Sequence, residues 1–109
     1  MEILSGAGIY RAPPSGAHRD YVEHLRVPAM SVGTYSIPAD GRDDQVPHLQ
    51  DEIYVVTSGR ALFVASSGEA LVGPGDVIYV PVGEEHRFVD FTEDLAVLVV
   101  FAPAESDEA

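Results

Sequence analysis

The feature that most constrains this chain is a change of texture at Met30. From there on, short runs rich in Val, Ile, Tyr and Phe follow one another, and turn residues separate them. The runs are Met30–Ile37, Ile53–Thr57, Ala61–Ala65, Ala70–Val72, Val77–Val80, Arg87–Phe91 and Leu95–Phe101. The breaks fall at 38–41, Ser58-Gly59, Ser66-Ser67-Gly68, Gly73-Pro74-Gly75, 81–83 and Glu93-Asp94. Strand-forming residues punctuated at this spacing predict an all-β sandwich or barrel. No segment carries the apolar stripe of an amphipathic helix. Two runs, Ile53-Tyr54-Val55-Val56 and Val97-Leu98-Val99-Val100, are apolar on both faces. In an antiparallel protein that requires either a second sheet stacked on the first or a partner chain over the outer face, so a homodimer is expected. Residues 1–29 contain Pro13, Pro14, Gly16 and Pro28 and read as an arm with room for one strand and for dimer contacts. Residues 30–103 form the barrel, and residues 104–109 read as a frayed acidic tail.

Composition narrows the chemistry. A chain of 109 residues suits one domain with one core. Its net charge of -12 repels phosphate backbones and anionic lipid, so neither nucleic acid nor a membrane surface is an expected partner. There is no lysine, which excludes Schiff-base chemistry on this chain, and no cysteine, which excludes thiolate nucleophiles, thiolate ligands and disulfides. No secretory leader or long apolar run is evident, and with the lack of cysteine this suits the reducing cytoplasm. Gly73, Gly75 and Gly83 lack the spacing of a phosphate-cradling loop, and no G-x-S-x-G elbow is present.

Of the four histidines, His18 and His24 lie in the arm and are expected to be solvated. His48 is followed by Asp51-Glu52 and a β-run, and His86 opens another. For His48 and Glu52 to share one ion their donors must each lie about 2.0–2.2 Å from it, whereas four residues of straight strand span about 13 Å. The chain must therefore bend between Val46 and Ile53. Two imidazoles and a carboxylate suit Fe, Mn, Ni or Zn with coordination positions left open.

The block Gly75-Asp-Val-Ile-Tyr-Val-Pro81-Val-Gly83-Glu-Glu-His86-Arg-Phe-Val-Asp90 resembles the second motif of the cupin superfamily, G-x5-P-x-G-x2-H-x3-N, with Asp90 in place of Asn. Gly41 to Gly59 resembles the first, G-x5-H-x-H-x3,4-E-x6-G, through His48, Glu52 and Gly59. The resemblance covers about residues 30 to 102. It implies a double-stranded β-helix, or jelly-roll barrel, of the small single-domain kind, with a divalent transition metal held by His48, Glu52 and His86. The motif expects a further His where this chain has Val46, and Gln45 is the nearest substitute ligand. Alternation along strands places Phe88 and Asp90 on the face of His86, with Arg87, Val89 and Phe91 outward, and Tyr54 on the face of Glu52, so Tyr54, Phe88 and Asp90 are expected to line the pocket. Asp51, Glu84 and Glu85 read as solvated loop charges. The implied function is a metal cupin acting on a small molecule in the barrel, as a dioxygenase or isomerase. The alternative is a non-catalytic binding or sensor module. A purely structural dimeric barrel leaves the inward His and Glu side chains without a purpose.

Overall fold

The computed structural model describes residues 1–106 and contains eight strands and no helix among them. They are β1 (Asp20–Val27), β2 (Met30–Ile37), β3 (Asp51–Ser58), β4 (Ala61–Ala65), β5 (Gly68–Val72), β6 (Val77–Val80), β7 (His86–Val89) and β8 (Leu95–Ala102). All pair antiparallel, in one sheet ordered β1-β2-β8-β3-β6 and another ordered β5-β4-β7. Two sheets face each other across one apolar core, which is the jelly-roll solution to strands that are hydrophobic on at least one side.

Alternation does most of the placing. In β3, Glu52, Tyr54 and Val56 are buried while Ile53 and Val55 face outward, and in β7 His86 and Phe88 point in while Arg87 points out. Tyr54, Phe63 and Phe88 form the aromatic centre of the core, with ring centroids 4.9 to 6.0 Å apart in edge-to-face arrangements. β2 is buried on both faces. Its inner side meets the core, whereas its outer side is covered by the arm: the Gly8 amide donates to Thr34 Oγ1, and the Arg11 amide to Ser36 Oγ.

The expectation of an outward Phe91 and an inward Asp90 is overturned. Asp90 adopts a left-handed backbone with φ of 54°, which ends the alternation of β7 one residue early. Phe91 then packs against the core, and Asp90 is exposed. A left-handed backbone is required at Gly59 as well, where φ is 84° and a Cβ would sit 2.2 Å from the Asp94 carbonyl oxygen. Only glycine lets the β3–β4 turn approach that close.

Candidate metal centre

The site lies on the inner face, where β3, β7 and the long 38–50 connection converge. Glu52 is fixed by its strand, because β3 is paired on both sides, Glu52 opposite Phe101 of β8 and Val80 of β6. His86 arrives from the other sheet after a tight turn in which Gly83 has φ of 80°. That turn also reaches the third element. The Gly83 amide donates to the His48 carbonyl at 3.2 Å, and the Val82 amide to Asp51 Oδ1 at 2.9 Å. The chain does bend between Val46 and Ile53, and one ligand atom from each of His48, Glu52 and His86 comes within 4.8 Å of the others.

Ring orientation adds to this placement. His86 Nδ1 donates to the Glu84 carbonyl at 2.7 Å, so Nε2 faces the site, 2.9 Å from Glu52 Oε1 and 2.9 Å from the Tyr54 hydroxyl. Burial disfavours charging His86, but the hydrogen bonds to Glu52 and the Glu84 carbonyl and the charge of Glu52 outweigh it, and its pKa is raised. His48 is lowered instead, because burial outweighs the pull of Glu52. Without a metal, His86 Nε2 and Glu52 Oε1 are hydrogen-bonding partners at 2.9 Å. Glu52 is only 1% exposed, and its second oxygen, Oε2, is buried without a hydrogen-bond partner. A carboxylate buried with half its acceptors unsatisfied is costly, and a cation held between it and the two imidazoles meets that demand. The donor set thus fits a divalent transition metal, with the proton on His86 being what the ion replaces.

Gln45 turns inward despite simple alternation, because 38–50 is irregular rather than extended. Its amide nitrogen donates to Tyr54 Oη at 3.0 Å and to Asp43 Oδ2 at 3.2 Å, which leaves Oε1 facing His48 Nε2 at 3.0 Å. Val46, where the motif expects an imidazole, is instead 66% exposed. Tyr54 is fully buried, and burial, followed by the charge of Glu52, pushes its phenol well above the ordinary range. It is thus a protonated bridge between Gln45 and His86. Phe88 is buried beneath the site and packs on Tyr54. Asp90 does not join these residues: it lies beside Arg60, Leu71 and Gly73 at a different cavity of about 310 Å³.

The residue that sequence reasoning missed is Asp43. It lies in the polar run Arg42-Asp43-Asp44, yet is only 5% exposed. It accepts from the Tyr35 hydroxyl at 2.8 Å and the Phe88 amide at 2.9 Å, besides Gln45. One carboxylate thereby pins the loop to β2 and β7. Only the motif glycine at 41 hinted that this run was structured. Asp51 and Glu84, by contrast, serve turns, Glu84 accepting from the Ser67 hydroxyl at 2.6 Å. His24 is not on an irregular arm but on β1, with Nε2 2.6 Å from Thr34 Oγ1.

Beside the centre opens a cavity of about 400 Å³ with Val99 and Phe101 at its base and Tyr21, Tyr35, His48 and Gln45 among its walls. Tyr21 lies across Gly33, where a Cβ would come within 2.2 Å of its hydroxyl, so glycine at 33 is what admits the ring. Arg19, paired with Asp44 at 3.0 Å, also lines the cavity.

Comparison with known proteins agrees with this geometry. The cupin domain profile matches residues 33–101. An uncharacterized protein of Streptomyces coelicolor is 48% identical over 96 residues, spanning 88% of this chain and 89% of its own. Among solved structures, an RmlC-like cupin from Shewanella frigidimarina superposes with a TM-score of 0.78 at 15% identity, over 98% of this chain and 96% of that one. The DMSP lyase DddQ from Ruegeria pomeroyi gives 0.73 at 18% identity, over 94% of this chain and 54% of that one. With its profile match, its jelly roll and its two motif turns in agreement, this chain belongs to the cupin domain family.

Proposed function

We propose that this protein is a divalent-metal cupin that receives a small molecule in the 400 Å³ cavity, with His48, Glu52 and His86 as ligands and the Gln45 amide oxygen beside them. The observation that carries the reading is the unpartnered buried oxygen of Glu52, in a residue whose ligand atom lies within 4.8 Å of one from each of His48 and His86. Fe, Mn, Ni and Zn all suit this donor set, and positions not taken by protein are open to a substrate or dioxygen. Fold does not select the reaction, so the lyase activity of one structural neighbour is one of several chemistries this cavity can host, beside dioxygenase and isomerase reactions. A second reading, a binding or sensor module without turnover, is favoured by the replacement of an expected imidazole by an amide, a weaker donor for late transition metals.

The outer face of the larger sheet exposes Ile53, Val77 and Tyr79, and a second copy of the chain is its proposed cover. A reducing cytoplasm is the proposed compartment of a chain without cysteine. Elemental analysis of untagged protein grown with each metal in excess tests the central claim. About one equivalent of metal, lost in His48→Ala and His86→Ala, is expected. A wild type that takes up none of the four metals overturns it.

A further inference from the structure

The two imidazoles at the centre are steadied differently on their outer nitrogens. His86 Nδ1 has the Glu84 carbonyl at 2.7 Å, whereas the atom facing His48 Nδ1 is a carboxylate oxygen, Oε2 of Glu105, at 3.4 Å. Glu105 lies beyond β8, in the segment expected to be frayed. It is not loose: its amide donates to Ser31 Oγ at 2.8 Å, and its carbonyl accepts from Arg26 Nη1 at 2.7 Å. On one side the Ala104 amide meets the Pro28 carbonyl at 3.4 Å, and on the other Ser106 Oγ accepts from Gln50 at 2.9 Å. Residues 107–109 lie outside the described residues. The β1–β2 hairpin and the approach to β3 thus hold the backbone on both sides of Glu105 and deliver its carboxylate to the cavity wall. There its side chain is 19% exposed and that of His48 15%.

From this placement we infer that Glu105 is the positioning residue of His48. The inference rests on the metal reading above and deepens it. In the metal-free centre Gln45 Oε1, 3.0 Å from Nε2, draws the His48 proton to that atom; the carboxylate facing Nδ1 offers the proton another place, which frees the Nε2 lone pair for an ion and makes the imidazole a stronger donor. It also adds negative charge beside a centre where Glu52 is the carboxylate ligand and Asp43 lies close by. The amide of Gln45 contributes no charge, and Glu105 offsets that weakness from behind His48.

The test compares wild type, Glu105→Gln and Glu105→Ala as full chains, using zinc and a competing chromophoric chelator, with urea midpoints of the metal-free proteins and nitrogen-15 shifts of the His48 ring. Zinc affinity is expected to fall about 10–100-fold in Glu105→Ala and by less in Glu105→Gln, with metal-free midpoints unchanged. In the metal-free proteins the Nδ1–H share of His48 is expected to be larger in wild type than in Glu105→Ala. Wild-type zinc affinity in Glu105→Ala, or a loss matched by an equal loss of metal-free stability, overturns the inference. If wild type takes up none of Fe, Mn, Ni and Zn, the metal reading fails instead. The ring shifts of the metal-free proteins then decide the positioning role, which is overturned if the two variants keep the wild-type tautomer.

Discussion

The two halves of the centre are built by different physics. Glu52 and His86 sit on paired strands, and their direction follows from backbone ladders and alternation. Gln45 and His48 sit on a connection with no ladder at all, and their direction follows from side-chain bonds that converge on the buried Asp43. The strand-borne half is therefore rigid for reasons independent of its polar atoms. Its loop-borne counterpart depends on a few polar contacts, chief among them those of Asp43, with the Gly83 amide on the His48 carbonyl beside them.

Breaking each half in the metal-free protein separates the two. Glu52→Ala leaves His86 buried without its counter-charge, and a loss of about 3–5 kcal/mol is expected in urea unfolding. Asp43→Ala strands the Tyr35 hydroxyl and the Phe88 amide and should cost about 1–3 kcal/mol. The distinguishing readout is zinc uptake. Glu52→Ala should abolish it, while Asp43→Ala should weaken it about 10–100-fold by freeing Gln45 and His48 to wander. Equal zinc affinity in Asp43→Ala and wild type would show that the loop holds its shape without Asp43.

A gentler comparison asks which position stands in for the absent imidazole. Motif spacing points to Val46, but geometry points to Gln45. Gln45→His is expected to tighten zinc binding on the order of tenfold, since an imidazole replaces an amide. Val46→His, directed at solvent, should leave it unchanged. The reverse order would mean that the loop rearranges on metal binding.

How much of this was legible in the sequence follows the same division. Strand order of burial, the inward set Glu52, Tyr54, His86 and Phe88, and the turn glycines at 59, 75 and 83 could be read because period-two alternation and positive φ are local properties. Asp43 could not, since its burial depends on partners at positions 35, 45 and 88 that no local pattern brings together. Glu105 was read as tail for the same reason: its anchors lie about 75 positions earlier, at Arg26 and Ser31. Asp90 failed differently, because one left-handed residue shifts the parity of everything after it.

The smallest expected effect concerns pH. A lowered His48 favours its neutral form, so stability should rise with pH between its folded pKa and the ordinary value of 6.5. A raised His86 contributes fully below 6.5 and is lost as pH rises through its folded pKa. Between them these two groups predict a shallow stability maximum near pH 6.5 in metal-free protein, seen in urea midpoints, with His48 titrating below His86 by NMR. Zinc should move the maximum upward, because binding must first remove the His86 proton. A maximum that zinc leaves in place would place the metal elsewhere.

The arm that crosses the larger sheet has a consequence of its own. Thr34, Ser36 and Thr57 offer hydroxyls to the arm's main chain at Gly8 and Arg11, not to its side chains. Such a receptor recognises a path of amides and carbonyls and is largely blind to residue identity, except at Gly6 and Gly8, whose φ of 81° and 82° are left-handed, and at Gly8 a Cβ would also press on Thr57. The first eleven residues should therefore tolerate wide substitution while those two glycines do not. Amide exchange at Gly8 would report how often the outer surface of the sheet is laid bare.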